Sequence, residues 1–270
     1  MDNVEKKTRT LTFNNERFTY FIMANEGKET ILMLHPAFAD HTIFQQQMDH
    51  FKHSYQIILV DLPGHGSCYS HSSTITMKEI PDVLDQILSD NNIAACHLLG
   101  VSMGSLIAQA FAERYPDRVK SVSIVGGYSI HKANERIMKA QRREGLKWML
   151  YFLFSMKKFR AYITTVSCHT DSGRALLAQG IQHFRRKSFS AMSGMNTFFI
   201  KKDTPMPYPL LIVLGEHDLK IILEGANELH ALEKQSQLVV LPGAGHCANV
   251  DTPDAFNHTL EYFLSSCAIK

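Results

Sequence analysis

Gly100-Val101-Ser102-Met103-Gly104 stands between an apolar run at 95–99 and a helical pattern at 103–114. In that context these residues predict a sharp turn from a strand into a helix, with the serine at its apex. Glycines are needed on both sides of the serine because larger side chains would collide in so tight a turn. The hydroxyl then points into a cleft near a helix N-terminus, which favours developing negative charge. The motif predicts a nucleophilic serine, although a glycine-rich turn with a capping serine fits the same five letters.

Apolar runs and helical patterns alternate along most of the chain. Each run is short and bounded by turn residues, and it lacks a clean polar alternation, which is typical of strands buried on both faces of a parallel sheet. We predict an opening β-hairpin at 8–13 and 17–24 around Asn14-Asn15-Glu16, further strands at 30–34, 56–60, 95–99, 119–125, 209–214 and 237–241, and helices at 76–89, 103–114 and 252–264. Strands alternating with helices indicate an α/β fold with a mostly parallel central sheet flanked by helices.

The alternation breaks between about residues 129 and 203. This stretch lacks strand-like runs and is rich in Lys, Arg, Met and Phe, and Pro205-Met206-Pro207-Tyr208-Pro209 then leads back to the sheet as a stiff connector. A helical cap inserted after one strand is the simplest interpretation. We therefore predict residues 1–128 as the first part of the α/β core, 129–203 as the cap, and 204–270 as the second part of the core.

Length and composition fit one large globular domain with a small insertion. The chain has 270 residues, of which 45% are hydrophobic and 20% are charged, and these values are ordinary for a core-forming protein. No run approaches the roughly 18 apolar residues that a membrane span needs, and the polar start predicts no signal peptide. Five scattered cysteines without a C-x-x-C pair favour a reducing compartment. We predict a cytoplasmic protein.

Four further segments of the chain carry a resemblance to a known family. They are Leu34-His35-Pro36-Ala37-Phe38, Asp61-Leu62-Pro63-Gly64-His65-Gly66-Ser67, Leu214-Gly215-Glu216-His217-Asp218 and Gly243-Ala244-Gly245-His246. With the G-x-S-x-G motif, these segments resemble in order the oxyanion loop, the D-x-P-G-x-G loop, the acid loop and the catalytic-histidine loop of the α/β-hydrolase superfamily. The resemblance runs over nearly the whole chain, and it implies a triad in the order Ser102, Asp218, His246.

The implied triad matches what acyl transfer needs. A neutral serine hydroxyl is a poor nucleophile, so His246 must accept its proton during attack and return it to the leaving group. Asp218 would hold the imidazole in the right tautomer and stabilise its cation. Two alternatives stay open: His246 as a surface-loop histidine, and Asp218 as a turn residue with Glu216 or Glu224 as the acid. Glu216-His217-Asp218 also resembles half of a metal site, but no second ligand group has suitable spacing, so we predict no metal.

An oxyanion hole needs two backbone N–H groups aimed at the developing alkoxide. Met103, directly after the nucleophile, can supply one, and the resemblance assigns the other to Ala37. The sequence departs from the family where Pro36 replaces the glycine after His35, since proline has no N–H and stiffens the loop. We expect Ala37 to keep its role and His35 to brace the loop rather than carry protons.

Residues 146–159 read LKWMLYFLFSMKKF and hold the only tryptophan, within an apolar core fringed by lysines. This pattern predicts a cap helix that packs on the core domain and lines the substrate pocket. The residues that we expect to line the pocket are Phe38, Trp148, Met149 and Phe152. A mobile lid that opens at a lipid surface stays an alternative for the same stretch.

The net charge of +2 is unevenly distributed. Residues 131–187 contain 13 Lys/Arg and 3 Asp/Glu, a charge of +10, which leaves 15 Lys/Arg and 23 Asp/Glu elsewhere, a charge of −8. Because positive charge attracts anions, we predict an apolar pocket with a weak preference for acidic acyl groups. Nucleic acid is disfavoured as a partner because the charge falls in a cap rather than in a recognised binding module.

These features together predict a serine hydrolase that cleaves a carboxylic ester or a related small acyl substrate through an acyl-enzyme, without a cofactor. Carbon–carbon bond hydrolases, thioesterases, lactonases and lipase-like enzymes share the same motifs and stay alternatives. A ligand-binding signalling protein on the same scaffold is a further alternative, because the same residues would trap or slowly cleave its ligand. The predicted partner is a small acyl compound, apolar or anionic.

Overall fold

A sheet of eight strands forms the centre of the molecule. The computed structural model describes residues 4–69, 75–131, 139, 148–151, 153–202 and 204–267. The strands are β1 (Lys7–Phe13), β2 (Glu16–Met23), β3 (Thr30–Leu34), β4 (Gln56–Val60), β5 (Cys96–Val101), β6 (Val119–Val125), β7 (Leu210–Gly215) and β8 (Gln237–Leu241). Their order across the sheet is β1-β2-β4-β3-β5-β6-β7-β8. The β1–β2 and β2–β4 pairs are antiparallel and the other five pairs are parallel, which confirms the predicted mostly parallel sheet.

Helices cover both faces of this sheet. The α-helices are α1 (Gln45–Phe51), α2 (Ile80–Asp90), α3 (Met103–Arg114), α4 (Met156–Ser167), α5 (Asp171–Ile181), α6 (Ser188–Ala191), α7 (Lys220–Leu232), α8 (Ala248–Asp251) and α9 (Pro253–Cys267). Short 3-10 helices lie at His41–Phe44, Gly66–Cys68, Met77–Glu79, Pro116–Arg118 and Met195–Phe198. None of the described helices is long and apolar enough to cross a membrane.

Two hydrophobic cores, one on each face of the sheet, hold the layers together. Leu32 and Leu34 of β3 belong to the core that includes side chains of α2, α3 and α7. Ile31 and Met33 of the same strand belong to the core that includes side chains of α1 and α9. All four side chains are buried. Because both faces of β3 are covered, residues 31–34 are all apolar rather than alternating with polar residues.

The opening hairpin is tighter than the sequence predicted. Its turn consists of Asn14 and Asn15, whose φ angles of 48° and 64° place both in the left-handed region. A two-residue turn of this kind matches the twist of the flanking strands, and asparagine tolerates its geometry. Glu16, predicted in the turn, is instead the first residue of β2.

Other predicted boundaries differ from the observed ones by a few residues. β5 continues to Val101 because that residue still pairs with Val125 of β6. The helix predicted at 76–89 begins with a 3-10 turn, which Thr76 and Glu79 close as a capping box, and is α-helical only from Ile80.

The residues between β6 and β7, 126–209, are called the insertion below. Its described residues include α4, α5 and α6 and no strand. α4 packs on α5, and α5 contacts α8 and the 3-10 helix at His41–Phe44, both of which belong to the part of the chain that builds the sheet and its cover. The division into a core and a cap at residues 129 and 203 stays a prediction.

Candidate active site

Ser102 lies at the apex of the turn from β5 into α3. Its φ of 50° is in the left-handed region, which a residue other than glycine adopts at a cost and which is common at functional sites. Its N–H donates to the Val125 carbonyl at 2.7 Å and fixes the turn against β6. A Cβ at Gly104 would collide with the Leu34 carbonyl, and one at Gly100 would collide with the Gly104 carbonyl. Both glycines of the motif are therefore required for the close approach of the backbone.

His246 and Asp218 form a hydrogen-bonded row with the serine. His246 Nε2 lies 2.7 Å from Ser102 Oγ, and His246 Nδ1 lies 2.9 Å from Asp218 Oδ1. The three residues follow β5, β7 and β8 at the carboxyl edge of the sheet, where open α/β sheets form their ligand sites. The structure thus brings together the three side chains that the sequence predicted as a triad.

The loops that carry the acid and the histidine are joined through their backbones. His217 N donates to the Ala244 carbonyl at 2.8 Å. Leu219 N donates at 2.7 Å to Asp218 Oδ1, the same oxygen that faces the imidazole. The backbone of its own loop therefore fixes the orientation of the Asp218 carboxylate, and the carboxylate in turn orients the His246 ring.

The environment of His246 favours its cationic form. Burial lowers the pKa of this imidazole, but the charge of Asp218 and the hydrogen bond to it raise the pKa more, so that it lies above its ordinary value. The Asp218 side chain is fully buried, and 14% of the His246 side chain is exposed. When the His246 imidazole accepts the proton of Ser102, the resulting imidazolium is therefore stabilised by Asp218.

The other candidates that the sequence left open are placed differently. The Glu216 side chain is 56% exposed and accepts the Gly243 N–H at 3.0 Å, and Glu224 pairs with Lys220 on the surface of α7. A hydrogen bond to Cys168 and burial raise the pKa of the Cys247 thiol well above its ordinary value, so it stays protonated beside the histidine. Among the described residues no group of three side chains could hold a metal ion.

Two histidines brace the loop after β3. His35 Nδ1–H donates to the Pro36 carbonyl at 2.7 Å, and its Nε2 accepts the Leu62 N–H at 2.9 Å. Burial lowers the pKa of His35, so the neutral ring that this pattern requires is the stable one. His35 thus links the loop after β3 to the loop after β4, in the bracing position that the sequence predicted.

His65 holds the same loop from the other side, a role that the sequence did not predict. Its Nδ1–H donates to the Pro63 carbonyl at 2.8 Å, and its Nε2 accepts the Phe38 N–H at 3.0 Å. Burial, with the neighbouring His35, lowers the pKa of His65 to about 3, which keeps Nε2 free to accept. Phe38 has a φ of 72°, and this bond helps to hold that unusual conformation next to Ala37.

A comparison with family models decides what this architecture is. The model of the alpha/beta hydrolase fold matches residues 29–253. The chain belongs to the α/β-hydrolase family. Its hydrolase fold has many solved counterparts: an esterase from Thermogutta terrifontis, solved with malate bound, superposes with a TM-score of 0.78 at 20% identity and covers 97% of this chain and 99% of its own.

Sequence relatives of this hydrolase carry several activities. An (E)-2-((N-methylformamido)methylene)succinate hydrolase from Acinetobacter baylyi is 21% identical over 96% of this chain and 98% of its own length. A 2-hydroxy-6-oxononadienedioate/2-hydroxy-6-oxononatrienedioate hydrolase from Escherichia coli is 26% identical over 97% of this chain and 94% of its own length. Both relatives match this chain over almost its whole length. Both are named as hydrolases, but the substrates in their two names differ.

Ser102 and His246 of this hydrolase open into an apolar cavity of about 400 Å³. Ala37 and Met103, the predicted oxyanion donors, line the same cavity as Ser102. The insertion and the residues after β7 supply most of the remaining wall: Trp148, Ile163, Val166, Leu177, Met192, Met195, Phe199, Leu219, Ile221 and Ile222. Among the described residues that line the cavity, the only ionisable side chains besides His246 are Tyr128 and Cys247, and no Lys, Arg, Asp or Glu is present.

Two of the four residues predicted to line the pocket do line the cavity. Phe38 lines the cavity and sits in an aromatic cluster, with ring centroids 5.3 Å from Trp148, 5.2 Å from Phe159 and 5.0 Å from Phe184. Trp148 also lines the cavity. Met149 does not, and it is 48% exposed, because one helical step of about 100° turns it away from the wall that Trp148 faces. Phe152 lies outside the described residues.

Asp251 supports the loop that carries His246, a role that the sequence did not predict. One carboxylate oxygen accepts the N–H groups of Gly245 and His169, each at 2.8 Å. The other accepts the N–H of Thr170 at 2.9 Å and its hydroxyl at 2.7 Å. Through these four bonds Asp251, itself buried, ties the histidine loop to the insertion of the hydrolase.

Replacing Asp251 with asparagine is expected to lower the free energy of unfolding by about 2 kcal/mol, since an amide NH2 faces two of the four donors whichever way it is turned. Denaturant unfolding followed by circular dichroism measures the change. Asp254→Asn is the matched control, because Asp254 is exposed in the first turn of α9; we expect it to cost a few tenths of a kcal/mol. Equal losses in the two variants would contradict a structural role for the Asp251 bonds.

Proposed function

We propose that this hydrolase cleaves carboxylic esters through an acyl-enzyme on Ser102. The observation that carries the proposal is the continuous hydrogen-bonded row of serine, imidazole and carboxylate opening into an apolar cavity. In the first half-reaction Ser102 Oγ attacks the ester carbonyl carbon while His246 Nε2 takes the hydroxyl proton. The carbonyl oxygen becomes an alkoxide, and its collapse expels the alcohol, which receives the proton from His246.

The second half-reaction returns the serine to its resting state. A water molecule attacks the acyl carbon, and His246 takes one of its protons. Collapse of the second alkoxide breaks the bond to Ser102 Oγ, which regains a proton from His246 as the carboxylic acid leaves. Asp218 stabilises the imidazolium in both halves and holds the tautomer that accepts at Nε2.

Ala37 and Met103 are the proposed donors to the alkoxide. Both line the cavity beside Ser102, and Met103 is the first residue of α3, where the backbone N–H groups of a helix are unpaired and its dipole favours an anion. His65 supports the other donor indirectly by fixing the neighbouring Phe38 N–H. Removing one oxyanion donor in other hydrolytic enzymes typically costs about 100- to 1,000-fold in rate.

An uncharged acyl group is the class of substrate that this cavity favours. The names of the two relatives describe substrates with carboxylate groups, and burial of a carboxylate requires a partner of opposite charge. The cavity wall described above contains no Lys or Arg, so an ester fits better than those dicarboxylates. In this proposal the insertion acts as the cap over the site, and the five free cysteines agree with a reducing, cytoplasmic location.

Rapid mixing with p-nitrophenyl acetate tests the proposal. We expect a burst of close to one equivalent of p-nitrophenol followed by sustained turnover, because so reactive an ester should acylate Ser102 faster than water hydrolyses the acyl-enzyme. Mass spectrometry of acid-quenched protein should find one acetyl group on the peptide that contains Ser102. A burst without turnover would favour a ligand-trapping protein, and acetylation elsewhere in the chain would contradict the assignment of the nucleophile.

A further inference from the structure

Apolar side chains are concentrated on the surface of one short segment of the insertion. The described chain exposes ten large hydrophobic side chains, and five of them lie between residues 149 and 154. They are Met149 (48% exposed), Leu150 (51%), Tyr151 (36%), Leu153 (55%) and Phe154 (81%). We call these five residues the apolar patch. Single exposed hydrophobic residues are ordinary on protein surfaces, but a contiguous group of this kind marks an interaction site.

The most exposed side chains of the patch lie on one side of a helix. Residues 148–151, 153 and 154 are helical, so Leu150, Leu153 and Phe154, at spacings of three and four, share one side. Trp148, two residues before Leu150, lines the cavity and packs edge-on against Phe38. The same stretch of helix therefore has one side chain in the cavity wall and its most exposed side chains in the solvent outside that wall.

Three basic residues lie beside the patch. Lys157 and Lys158 are exposed three and four residues after Phe154, in the first turn of α4, and Arg186 donates to the Leu153 carbonyl at 3.1 Å. An exposed apolar side of a helix fringed by basic residues is the pattern of helices that lie in the interface of anionic membranes.

We propose that the apolar patch and its basic fringe dock this hydrolase on the surface of an anionic phospholipid bilayer. Leu150, Leu153 and Phe154 enter the boundary between headgroups and acyl chains, and Lys157 and Lys158 lie at the level of the phosphates. A second copy of the chain is a poorer occupant because it would bring two strongly basic surfaces together. A bilayer supplies both the apolar layer and the opposite charge.

Docking in this orientation has a consequence for the site. Because Trp148 connects the patch to the cavity wall, the bilayer would lie next to the wall of an apolar cavity. An ester dissolved in the bilayer would then move from one apolar environment to another with little exposure to water. Membrane binding itself does not depend on the chemistry at Ser102, so it can be measured separately from turnover.

Co-sedimentation with phosphatidylglycerol vesicles and with phosphatidylcholine vesicles tests the proposal. We expect the protein to bind the anionic vesicles, to bind the zwitterionic ones much less, and to be released from the anionic ones by high salt. Phe154→Ser should weaken binding at least about tenfold, since the variant no longer buries a phenylalanine ring among the acyl chains. Lys157→Gln with Lys158→Gln should weaken binding to the anionic vesicles alone.

Tyr262→Ser is the matched control, because Tyr262 is 74% exposed on α9, outside the patch. It should bind vesicles like the wild type, and both surface variants should keep the wild-type rate on a short water-soluble ester. Equal binding by wild type and Phe154→Ser would overturn the proposal. So would a wild-type protein that ignores vesicles and elutes as a dimer that Phe154→Ser converts to a monomer, which would show that a second copy covers the patch.

Discussion

Replacing Asp218 with asparagine is expected to lower kcat for a short p-nitrophenyl ester by about ten-thousand-fold. Asparagine keeps the size of the side chain, but its amide can present an N–H to His246 Nδ1 and so favour the wrong tautomer, and it removes the charge that stabilises the imidazolium. The bond from Asp218 Oδ1 to His246 Nδ1, at 2.9 Å, is the contact that the substitution changes. Steady-state kinetics at neutral pH measure the loss.

The pH dependence of the same reaction gives a second readout. Only the neutral imidazole can accept the serine proton, so kcat/KM should fall on the acid side as His246 becomes protonated. Asp218 raises the pKa of His246 above its ordinary value, so the wild-type acid limb should lie above about pH 6.5. In the Asp218→Asn variant burial remains and the charge is lost, so the acid limb of the residual activity should move to lower pH.

Glu216→Gln is the control for this prediction. Glu216 lies two residues before Asp218 on the same loop, but its side chain is largely exposed and accepts the Gly243 N–H. We expect kcat to change by less than about threefold, as for a surface substitution. If Glu216→Gln were as damaging as Asp218→Asn, or if Asp218→Asn left the rate and the acid limb unchanged, the carboxylate that serves the histidine would have been assigned wrongly.

The features that the sequence predicted well depend on short-range constraints. The strand–turn–helix context of Ser102 is marked by five consecutive residues, since a Cβ at Gly100 or Gly104 would collide with a backbone carbonyl. The strands are marked in the same way, because a strand covered on both faces carries consecutive apolar residues, as β3 does at 31–34. The three loops of the site then meet because parallel strands end at one edge of the sheet.

The features that the sequence did not predict depend on contacts between distant segments. Asp251 looks like an ordinary residue before a helix, and its partners His169 and Thr170 lie 82 and 81 positions away. The role of His65 is set by a backbone N–H of Phe38, 27 positions earlier, at a φ that no local pattern indicates. In both cases the side chain accepts hydrogen bonds from backbone N–H groups of another loop. The amino-acid composition does not indicate such long-range contacts.

The preference for acidic acyl groups stays a prediction, and the described cavity wall gives a physical reason to propose the opposite preference. The basic residues of the insertion were counted along the chain, but a helix separates neighbouring side chains by about 100°. Trp148 faces the cavity, whereas Lys157 and Lys158 are exposed. Lys157 and Lys158 therefore belong to the outer surface of the insertion, and the described lining of the cavity contains no Lys or Arg.

A hexanoate ester should accordingly be a far better substrate than an ester of the same length that ends in a carboxylate. We compare p-nitrophenyl hexanoate with the mono-p-nitrophenyl ester of adipic acid, which share a leaving group and a six-carbon acyl chain. An unpaired charge in a buried site costs about 3–5 kcal/mol, so we expect kcat/KM for the adipate ester to be roughly 150- to 5,000-fold lower. Steady-state kinetics with each ester over a range of concentrations measure the ratio.

The methyl ester of the adipate substrate is the control, because it restores a neutral end while adding bulk; its kcat/KM should return to within about tenfold of the hexanoate value. Added salt should leave the discrimination unchanged, since the penalty arises from desolvation inside the cavity and not from attraction at the surface. Comparable rates for the hexanoate and adipate esters would mean that a cationic side chain reaches the bound acyl group. A faster reaction with adipate that salt abolishes would mean that the basic surface of the insertion steers the substrate after all.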